Sequence, residues 1–317
     1  MKLALAGDTM LGRGVAEHLR ATSPDALFDD GVVASVREAD LFVLNLECAI
    51  SDRGERWPDP HKPFFFRAPP AAIDVLTLLG VDCVTLANNH ALDYGAPALL
   101  DTIEHLERAG IARVGAGPDR REARQPTVLE HDGFTLGVVA VTDHPPDYAA
   151  APGQPGVAYA DLRSGAPHWL LDAIGNVGTD AVLVSPHWGP NMISEPLPHV
   201  RAAAASFRAA GATLIAGHSA HVFHGADENI LYDLGDFIDD YATNRRLRND
   251  LGLLFLVTFD GVRPTLVEAV PLALDFCHTR LADRAELGWI EERFRRACGA
   301  FGTNVETRGD RLVIDMA

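Results

Sequence analysis

Short apolar or β-branched runs alternate with helical patterns along most of the chain, and this alternation restricts the fold more than any other feature. Helical patterns are expected near residues 13–20, 70–79, 96–109 and 199–209. Seven runs predict strands: "KLALAGD", "LFVLNLE", "DCVTLANN", "IARVGAG", "TLGVVAVT", "AVLVSPHWG" and "TLIAGHS". Strands separated by helices are typical of βα units, so the sequence predicts an α/β fold with helices on both faces of a buried sheet.

Two hairpin signals indicate that the sheet is mixed. "LEHDGFTLGVV" places Asp132 and Gly133 at a tight turn, and "LFLVTFDGVRPTLVEAV" repeats the pattern near the end of the chain. Such a sheet is expected to split into two layers. We expect one main domain over residues 1–285, with residues 286–317 forming a helix and a short strand appended to it. Residues 51–70 and 142–168 are rich in Pro or Gly and are expected to be long loops.

Composition excludes several classes of protein. The formal charge of −17 argues against general nucleic-acid binding, which depends on Lys and Arg. The N-terminus lacks the apolar region of a signal peptide, and no apolar run reaches the roughly 18 residues of a membrane helix. We therefore expect a cytoplasmic protein without a membrane anchor. The four cysteines have no CxxC spacing and are expected to be buried free thiols.

Polar side chains follow the predicted strands at the points where the strands end. They are Asp8, Asn45, Glu47, Asn88, Asn89, His90, His187, His218 and His221. The carboxyl ends of strands line the ligand crevice of α/β sheets, so these side chains are expected to converge. A mixture of carboxylate, amide and imidazole donors suits a divalent transition metal such as Mn, Zn or Fe.

Each of these residues also has an ordinary structural explanation. Asp8 could cap the following helix, Asn89 could occupy a left-handed turn, and a histidine at a strand end is commonly a hydrogen-bonded core residue. The occurrence of five such stretches in one chain favours a site. Other candidates are basic: Arg13 lies at the start of the first helix, where amides favour anions, and Lys62 and Arg67 lie in the aromatic loop. They could bind a carboxylate or phosphate, or remain solvated surface charges.

Seven of these stretches, in order, resemble one known family. "GDTMLGR", "LNLECAIS", "KPFFFRAPP", "LANNHALDYG", "HWG", "GHSAHV" and "LYDLGDFI" are similar to the pattern of the CapA family of poly-γ-glutamate capsule synthesis proteins, whose fold resembles the calcineurin-like metallophosphoesterases. The resemblance covers roughly residues 2–258. It implies a two-layer mixed β-sandwich flanked by helices, with one or two metal ions at the strand ends.

The resemblance also implies roles for individual residues. The implied metal ligands are Asp8 as the first aspartate, Glu47 as the bridging carboxylate, Asn89 as the amide ligand, His187 as the lone histidine, and His218 and His221 as the last pair. His90 is implied to protonate the leaving group, so that His90 and Asp8 are the catalytic candidates. Arg13, Lys62, Arg67 and Asn88 are the candidates for binding a small anionic or peptide-like substrate.

The chain departs from the metallophosphoesterase pattern at several positions. Met10 stands where the pattern has a histidine, Glu47 replaces a shorter aspartate, and "GHSAH" is one residue longer than GHxH. A thioether is a poor ligand for hard ions, so the sequence predicts one metal ion, or two bound unequally. His224 is an alternative ligand, and Asp236 replaces the usual asparagine, which leaves its role doubtful.

Three functions remain open from the sequence. The first is a metal-dependent hydrolase acting on a phosphoester or on an amide such as a γ-glutamyl bond. The second is a part in the synthesis or transfer of a poly-γ-glutamate-type polymer. The third is a non-catalytic module that binds metal or anions. The sequence determines neither the substrate nor the oligomeric state.

Overall fold

A computed structural model describes residues 1–316. Twenty strands, β1 to β20 in chain order, cover Lys2–Thr9, Leu41–Leu46, Ala49–Ile50, Arg67–Ala68, Cys83–Thr85, Ala112–Val114, Ala116–Gly117, Thr127–His131, Phe134–Thr142, Gly156–Val157, Ala181–His187, Leu214–Ala216, Ala226–Asp227, Ile230–Leu231, Asp236–Ile238, Leu251–Asp260, Arg263–Asp275, His278–Leu281, Glu306–Arg308 and Arg311–Asp315. Eight helices, α1 to α8, cover Arg13–Ala21, Asp30–Val36, Ala72–Leu79, Gly95–Ala109, Arg120–Ala123, His168–Gly175, Pro198–Ala209 and Arg284–Gly299. Single 3₁₀ turns cover Pro24–Leu27, Pro146–Tyr148 and Leu162–Ser164.

Two mixed sheets form the body of the protein. The larger sheet has the order β19-β20-β17-β16-β1-β2-β5-β6, with β15 also pairing with β1 and β18 with β17. The second sheet has the order β13-β14-β12-β11-β9-β8. In the larger sheet β1, β2, β5 and β6 are parallel, and in the second sheet β9, β11, β12 and β14 are parallel. The predicted mixed sheet in two layers is therefore confirmed.

Successive side chains of a strand point to opposite faces of the sheet, so alternate residues pack against different layers. Leu3 and Leu5 of β1 belong to the core between the two sheets, whereas Ala4 and Ala6 face the helices. The helix-side core of the larger sheet contains side chains from α1, α2, α3 and α4, and the outer face of the second sheet packs against α6 and α7. The result is the two-layer mixed β-sandwich flanked by helices that the resemblance implied.

Both predicted hairpins are present. Asp132 and Gly133 have positive φ values of 47° and 81°, as a tight turn between β8 and β9 requires. β16 and β17 pair antiparallel over ten register positions, from Leu251↔Ala273 to Asp260↔Arg263. In the described residues, no helix combines the length and the apolar character that a membrane crossing needs.

The end of the chain is integrated with the larger sheet. α8 begins at Arg284, where the Asp283 side chain accepts hydrogen bonds from the backbone N–H groups of Ala285 and Glu286. Ile290 and Phe294 of this helix lie in the core between the sheets, and β20 pairs antiparallel with β17. The helix and strand predicted for residues 286–317 are present. The division at residue 285 stays a prediction.

Candidate metal centre

The polar side chains predicted from the sequence lie at the carboxyl ends of parallel strands from both sheets. Asp8 is near the end of β1, Asn45 near the end of β2, and His187 is the last residue of β11. His218 follows β12 by two residues, and His187 and His218 form an isolated bridge between the two chain segments. Because the two sheets pack face to face, their strand ends meet at one edge and bring these side chains together.

Two glycines permit the close approach of backbones at this edge. A Cβ on Gly7 would lie 1.9 Å from the carbonyl oxygen of Gly235, and a Cβ on Gly217 would lie 2.3 Å from Nε1 of Trp188. Real Cβ atoms do not come this close to other heavy atoms, so neither position accepts another residue without displacement. Each glycine directly precedes a candidate ligand, Asp8 or His218.

Asp8 belongs to two groups of converging ligand atoms. One group is Asp8, His187 and His218, and the other is Asp8, His221 and Asp236; within each group the atoms lie within 4.8 Å of one another. All five residues are buried. Asp8 Oδ1 is 3.8 Å from Nδ1 of His187 and 3.7 Å from Nδ1 of His218, whereas Oδ2 is 3.3 Å from Nδ1 of His221. One carboxylate therefore contributes an oxygen to each group.

The two histidines of the first group are in the protonation state that binds a metal ion. Burial raises the pKa of Asp8, and burial together with the Asp8 carboxylate raises the pKa of Glu47 well above its usual range. Burial lowers the pKa of His218 to about 3 and the pKa of His187 well below its usual range, so both imidazoles are neutral near pH 7. Neutral imidazole is the form that binds a metal.

His221 differs from the other two histidines. Burial lowers its pKa, but the carboxylates of Glu47 and Asp8 outweigh that effect, and the pKa is raised overall. Its Nδ1 is 2.8 Å from Oδ1 of Asp236, and its Nε2 is 3.2 Å from Nδ2 of Asn191. The neighbouring carboxylates therefore favour the protonated, positively charged form of His221.

Several buried polar atoms of this cluster lack a hydrogen-bond partner within the described residues. They are Glu47 Oε1, Asn89 Oδ1, His187 Nε2 and Asp236 Oδ2. Buried polar atoms in folded proteins are nearly always paired with protein, water or an ion. Glu47 Oε1 and His187 Nε2 lie 3.8 Å apart, close enough for one ion to contact both. The donor set and these unpartnered atoms fit a divalent metal ion.

The structure places Glu47 and Asn89 beside the two groups of converging atoms. The hydroxyl of Tyr241 donates to Glu47 Oε2 at 3.3 Å, so only Oε1 is left for an ion. Asp8, implied to be the first aspartate, is the residue shared by both groups. The bridging role implied for Glu47 stays a prediction.

Met10 does not lie with the ligands. It is fully buried in the helix-side core, and its sulfur accepts the backbone N–H of Gly12 at 3.1 Å. Asp236, whose role was doubtful from the sequence, lies directly opposite Asp8 on the parallel strand β15. Met10 supplies no ligand atom, and the carboxylate of Asp236 on β15 lies beside Asp8 instead. His224 belongs to neither group, and its Nε2 donates to the carbonyl oxygen of Ile193 at 2.9 Å.

His90 is held rigidly next to the cluster. Its Nδ1 is 2.6 Å from Oδ2 of Asp93, and its ring stacks on Phe66 with centroids 3.9 Å apart. Burial lowers the pKa of His90 to about 4, against the opposing effect of Asp93. Asp93 also accepts the hydroxyl of Tyr148 at 3.0 Å and contacts Nζ of Lys62 at 3.0 Å. Asp93 was not among the predicted residues, although its position three residues after His90 is a usable sequence signal.

The predicted substrate-binding residues make mainly internal contacts. Asn88 is fully buried: its amide nitrogen donates to Asn45 Oδ1 at 3.0 Å and to the carbonyl oxygen of Leu46, and its oxygen accepts the backbone N–H of His90. Asn88 therefore orders the turn that carries Asn89 and His90, and these contacts do not support a role in binding substrate. Lys62 donates to the carbonyl oxygen of Asn89 at 2.7 Å and so supports the same turn.

Arg13 and Arg67 contact an acidic and an aromatic side chain outside the converging groups. Arg13 Nε is 3.2 Å from Oδ2 of Asp240, and the guanidinium of Arg67 lies over the ring of Tyr94 at 4.1 Å. Neither residue belongs to the converging groups.

His144, which was not among the predicted residues, also lies beside the candidate ligands. It follows β9, and its ring centroid is 5.2 Å from that of His187. Its Nδ1 pairs with Asp143, whose Oδ2 also accepts the backbone N–H of Gly189. Like the predicted ligands, His144 comes just after a buried strand, and this position is the sequence signal that could have identified it.

Two mixed sheets packed face to face, with carboxylate and imidazole side chains at their common carboxyl edge, define a two-layer α/β protein with a candidate metal centre. Comparison with known sequences gives the particular family. The family described as "Bacterial capsule synthesis protein PGA_cap" matches residues 2–241, and the chain belongs to this family.

Relatives cover most of the chain. A probable polyglutamine synthesis accessory protein from Mycobacterium tuberculosis is 31% identical, covering 98% of this chain and 94% of that protein. The PGA biosynthesis protein CapA of Bacillus subtilis is 27% identical, covering 77% of this chain and 65% of its own length. Among solved structures, a hypothetical protein from Thermus thermophilus has a TM-score of 0.50 at 16% identity, covering 86% of this chain and 98% of that one. This last similarity concerns the fold alone.

Proposed function

We propose that the protein is a metal-dependent hydrolase that binds two divalent ions through the shared carboxylate of Asp8. The observation that carries the proposal is the presence of two buried groups of ligand atoms with Asp8 in common. Divalent ions held by the residues of these two groups would supply Lewis-acid activation and charge stabilisation for attack on a phosphorus or carbonyl centre. Mn, Zn and Fe are the candidate metals, since the donors are carboxylate, amide and imidazole.

The chain's own residues supply the remaining chemistry. Glu47 Oε1, Asn89 Oδ1 and His187 Nε2 are buried and have no hydrogen-bond partner among residues 1–316, so they are available to complete the ligand sets. His90 is positioned for proton transfer. Its Nδ1 hydrogen bond to Asp93 leaves Nε2 as the atom that exchanges a proton with the leaving group. Because burial lowers the pKa of His90 to about 4, Nε2 accepts a proton near pH 7 and gives one to the leaving group only from the imidazolium form. Phe66 and the buried surroundings of His90 exclude bulk water from this ring.

The substrate is proposed as a small anionic or peptide-like molecule carrying a phosphoester or an amide such as a γ-glutamyl bond. The test is hydrolysis of p-nitrophenyl phosphate, bis-p-nitrophenyl phosphate and γ-glutamyl-p-nitroanilide with added Mn²⁺, Zn²⁺ or Fe²⁺. Turnover of one class, lost on chelation and in His187→Ala, supports the proposal. Absence of turnover of all three in a metal-loaded protein would favour a non-catalytic binding module.

A second candidate is a part in the synthesis or transfer of a poly-γ-glutamate-type polymer. It is favoured by family membership and by the relatives, which are named as a PGA biosynthesis protein and a probable polyglutamine synthesis accessory protein. Deletion of the gene in its host, followed by measurement of cell-associated polyglutamate, tests this role. An unchanged amount of polymer would argue against it.

A further inference from the structure

A groove of about 580 Å³ lies beside the candidate metal centre, between the start of α1 and the loop of residues 51–70. Arginines dominate its lining. The lining includes Arg13, Arg20, Arg56, Arg67, Phe65 and Tyr94. Four guanidinium groups at one groove are unusual in a chain with a formal charge of −17. Glu17 and Asp240 are the acidic residues of the lining, so the groove carries net positive charge.

Two of the arginines are held in place by the protein. Arg13 is paired with the buried carboxylate of Asp240, whose Oδ2 also accepts the backbone N–H of Gly14 at 2.9 Å. Arg67 donates from Nη1 to the carbonyl oxygen of Arg53 at 3.0 Å and lies over the ring of Tyr94. Guanidinium groups fixed in this way lose little conformational freedom when they bind an anion.

The other two arginines have no acidic partner. Arg20 and Arg56 are exposed, and within residues 1–316 neither forms an ion pair with a carboxylate. The guanidinium of Arg56 lies 5.3 Å from the ring centroid of Phe65, which orients it at the groove. The side chains of Arg20 and Arg56 are thus available to a ligand. Because both are exposed, substituting them is expected to change the free energy of unfolding only slightly.

Two aromatic residues, Phe66 and Tyr241, contact both the groove and the candidate metal centre. The guanidinium of Arg13 lies 5.6 Å from the ring centroid of Phe66 and 5.9 Å from that of Tyr241. The same two residues contact the centre, since Phe66 stacks on His90 and Tyr241 donates to Glu47. The groove and the candidate metal centre are therefore close neighbours, near enough for two anionic groups of one extended molecule.

We propose that this groove binds a second anionic group of the substrate, separate from the group that reacts at the candidate metal centre. The inference rests on the proposed function, and it specifies the substrate class as a molecule with at least two anionic groups. The shared chemistry is an oxyanion, carboxylate or phosphate, that accepts paired N–H donors from guanidinium groups.

Titration calorimetry on the full-length, metal-loaded protein tests the proposal with two probes, tri-γ-glutamate and tripolyphosphate. The Arg20→Gln, Arg56→Gln double variant is expected to bind one or both probes at least about 10-fold more weakly than the wild type, because two charge-assisted contacts are lost. The matched control is Arg263→Gln, Arg284→Gln, which removes the same charge at two exposed positions outside the groove. This control is expected to keep the wild-type affinity.

The outcomes separate the two anion sources. Weakening for the glutamate probe alone assigns a carboxylate ligand, and weakening for the polyphosphate alone assigns a phosphate ligand. Equal affinity of the groove variant and the wild type would overturn the proposal, as would an equal loss in the control, which would show a general charge effect. Failure of the wild type to bind either probe would also overturn it.

The experiment does not depend on turnover, provided that chromatography shows the probe intact at the end of the titration. Binding that needs Arg20 and Arg56 in a protein that hydrolyses nothing would leave the groove assigned and reject the hydrolase. Hydrolysis by a protein whose groove variant binds both probes as the wild type does would support the hydrolase and reject the groove assignment.

Discussion

Asp8 and Asp236 face each other as register partners on the parallel strands β1 and β15, and both carboxylates contact Nδ1 of His221. The distances are 3.3 Å from Asp8 Oδ2 and 2.8 Å from Asp236 Oδ1. Two carboxylates buried this close together repel unless a cation or a proton lies between them. Asp8 and Asp236 therefore form the candidate second metal position of the proposed function, at which Met10 supplies no ligand.

Substitution of Asp236 tests that position. Asp236→Asn keeps the size of the side chain but removes its charge, and we expect the metal content to fall from two ions toward one per chain, with the ion at His187 and His218 retained. Elemental analysis after gel filtration measures this. Asp260→Asn, at an exposed position, is the control. Two ions in the Asp236→Asn protein would show that Asp236 is not a ligand.

Substitution of His187 or His218 by alanine is expected to remove the other ion. Both side chains lie at strand ends and not in the apolar clusters, so the circular dichroism spectrum is expected to change little. Metal content is the readout, and His61→Ala, in the exposed loop, is the control. Unchanged metal in both variants would contradict the assignment of this group.

His90 and Asp93 are expected to act in turnover without holding the metal. His90→Gln should keep the metal content and lower kcat by roughly 10² to 10⁴, the usual range for a lost proton donor. Asp93→Asn should lower kcat by less, because it orients His90 through Nδ1 and does not itself transfer the proton. Loss of metal in His90→Gln would make His90 a ligand, and wild-type turnover would remove it from the mechanism.

Metal removal is expected to lower the thermal stability. The cluster concentrates the buried carboxyl groups of Asp8, Glu47 and Asp236, and a bound cation stabilises the folded state only. At a free ion concentration about 100 times Kd, this stabilisation is about 2.7 kcal/mol. Differential scanning fluorimetry with and without chelator should show a drop in Tm of several degrees. The Asp236→Asn, His187→Ala double variant should show a smaller drop.

The ion pairs that attach the C-terminal strand β20 predict a dependence of stability on pH. Arg311 Nη1 is 3.1 Å from Oε1 of Glu268 and 2.9 Å from Oε2 of Glu38. The hydrogen bond from Arg311 lowers the pKa of Glu38. The pKa of Glu268 is also lowered, since hydrogen bonds from Lys2 and Arg311 outweigh the effect of burial. A carboxyl pKa lowered by folding stabilises the protein above its unfolded value, 4.5, and this contribution is lost as the pH falls through the folded pKa.

Arg311→Gln is therefore expected to destabilise the protein at pH 7 by about 1 kcal/mol or less, the usual range for partly exposed pairs, and the difference from wild type should disappear on acidification below pH 4.5. Urea unfolding at a series of pH values measures this. Arg296→Gln, which removes an exposed pair with Glu292, is the control and should change stability less. If the stability difference between Arg311→Gln and the wild type persists unchanged at acid pH, the ion pairs of Arg311 with Glu38 and Glu268 do not cause it.

Local patterns were sufficient for the elements and for most of the candidate ligands. β-branched runs and helical periodicity predicted the central strands and five of the helices, because these features depend on neighbours in sequence. The positions of Asp8, His187, His218 and His221 followed from the rule that ligands collect at carboxyl ends of strands. The short elements between residues 24 and 36 were missed because their apolar pattern spans too few turns to be recognised.

The arrangement of the ligands was decided by the tertiary structure. Asp236 lies opposite Asp8 because β15 pairs with β1 across more than 220 residues of chain, and no local pattern records such a pairing. The same is true of Met10, whose side chain turns into the helix-side core, and of Asn88, which is used to order the turn before His90. The sequence by itself determined which chemical groups occur at the strand ends. Long-range strand pairing and core packing decided which of those groups meet, because both depend on contacts between residues far apart in the chain.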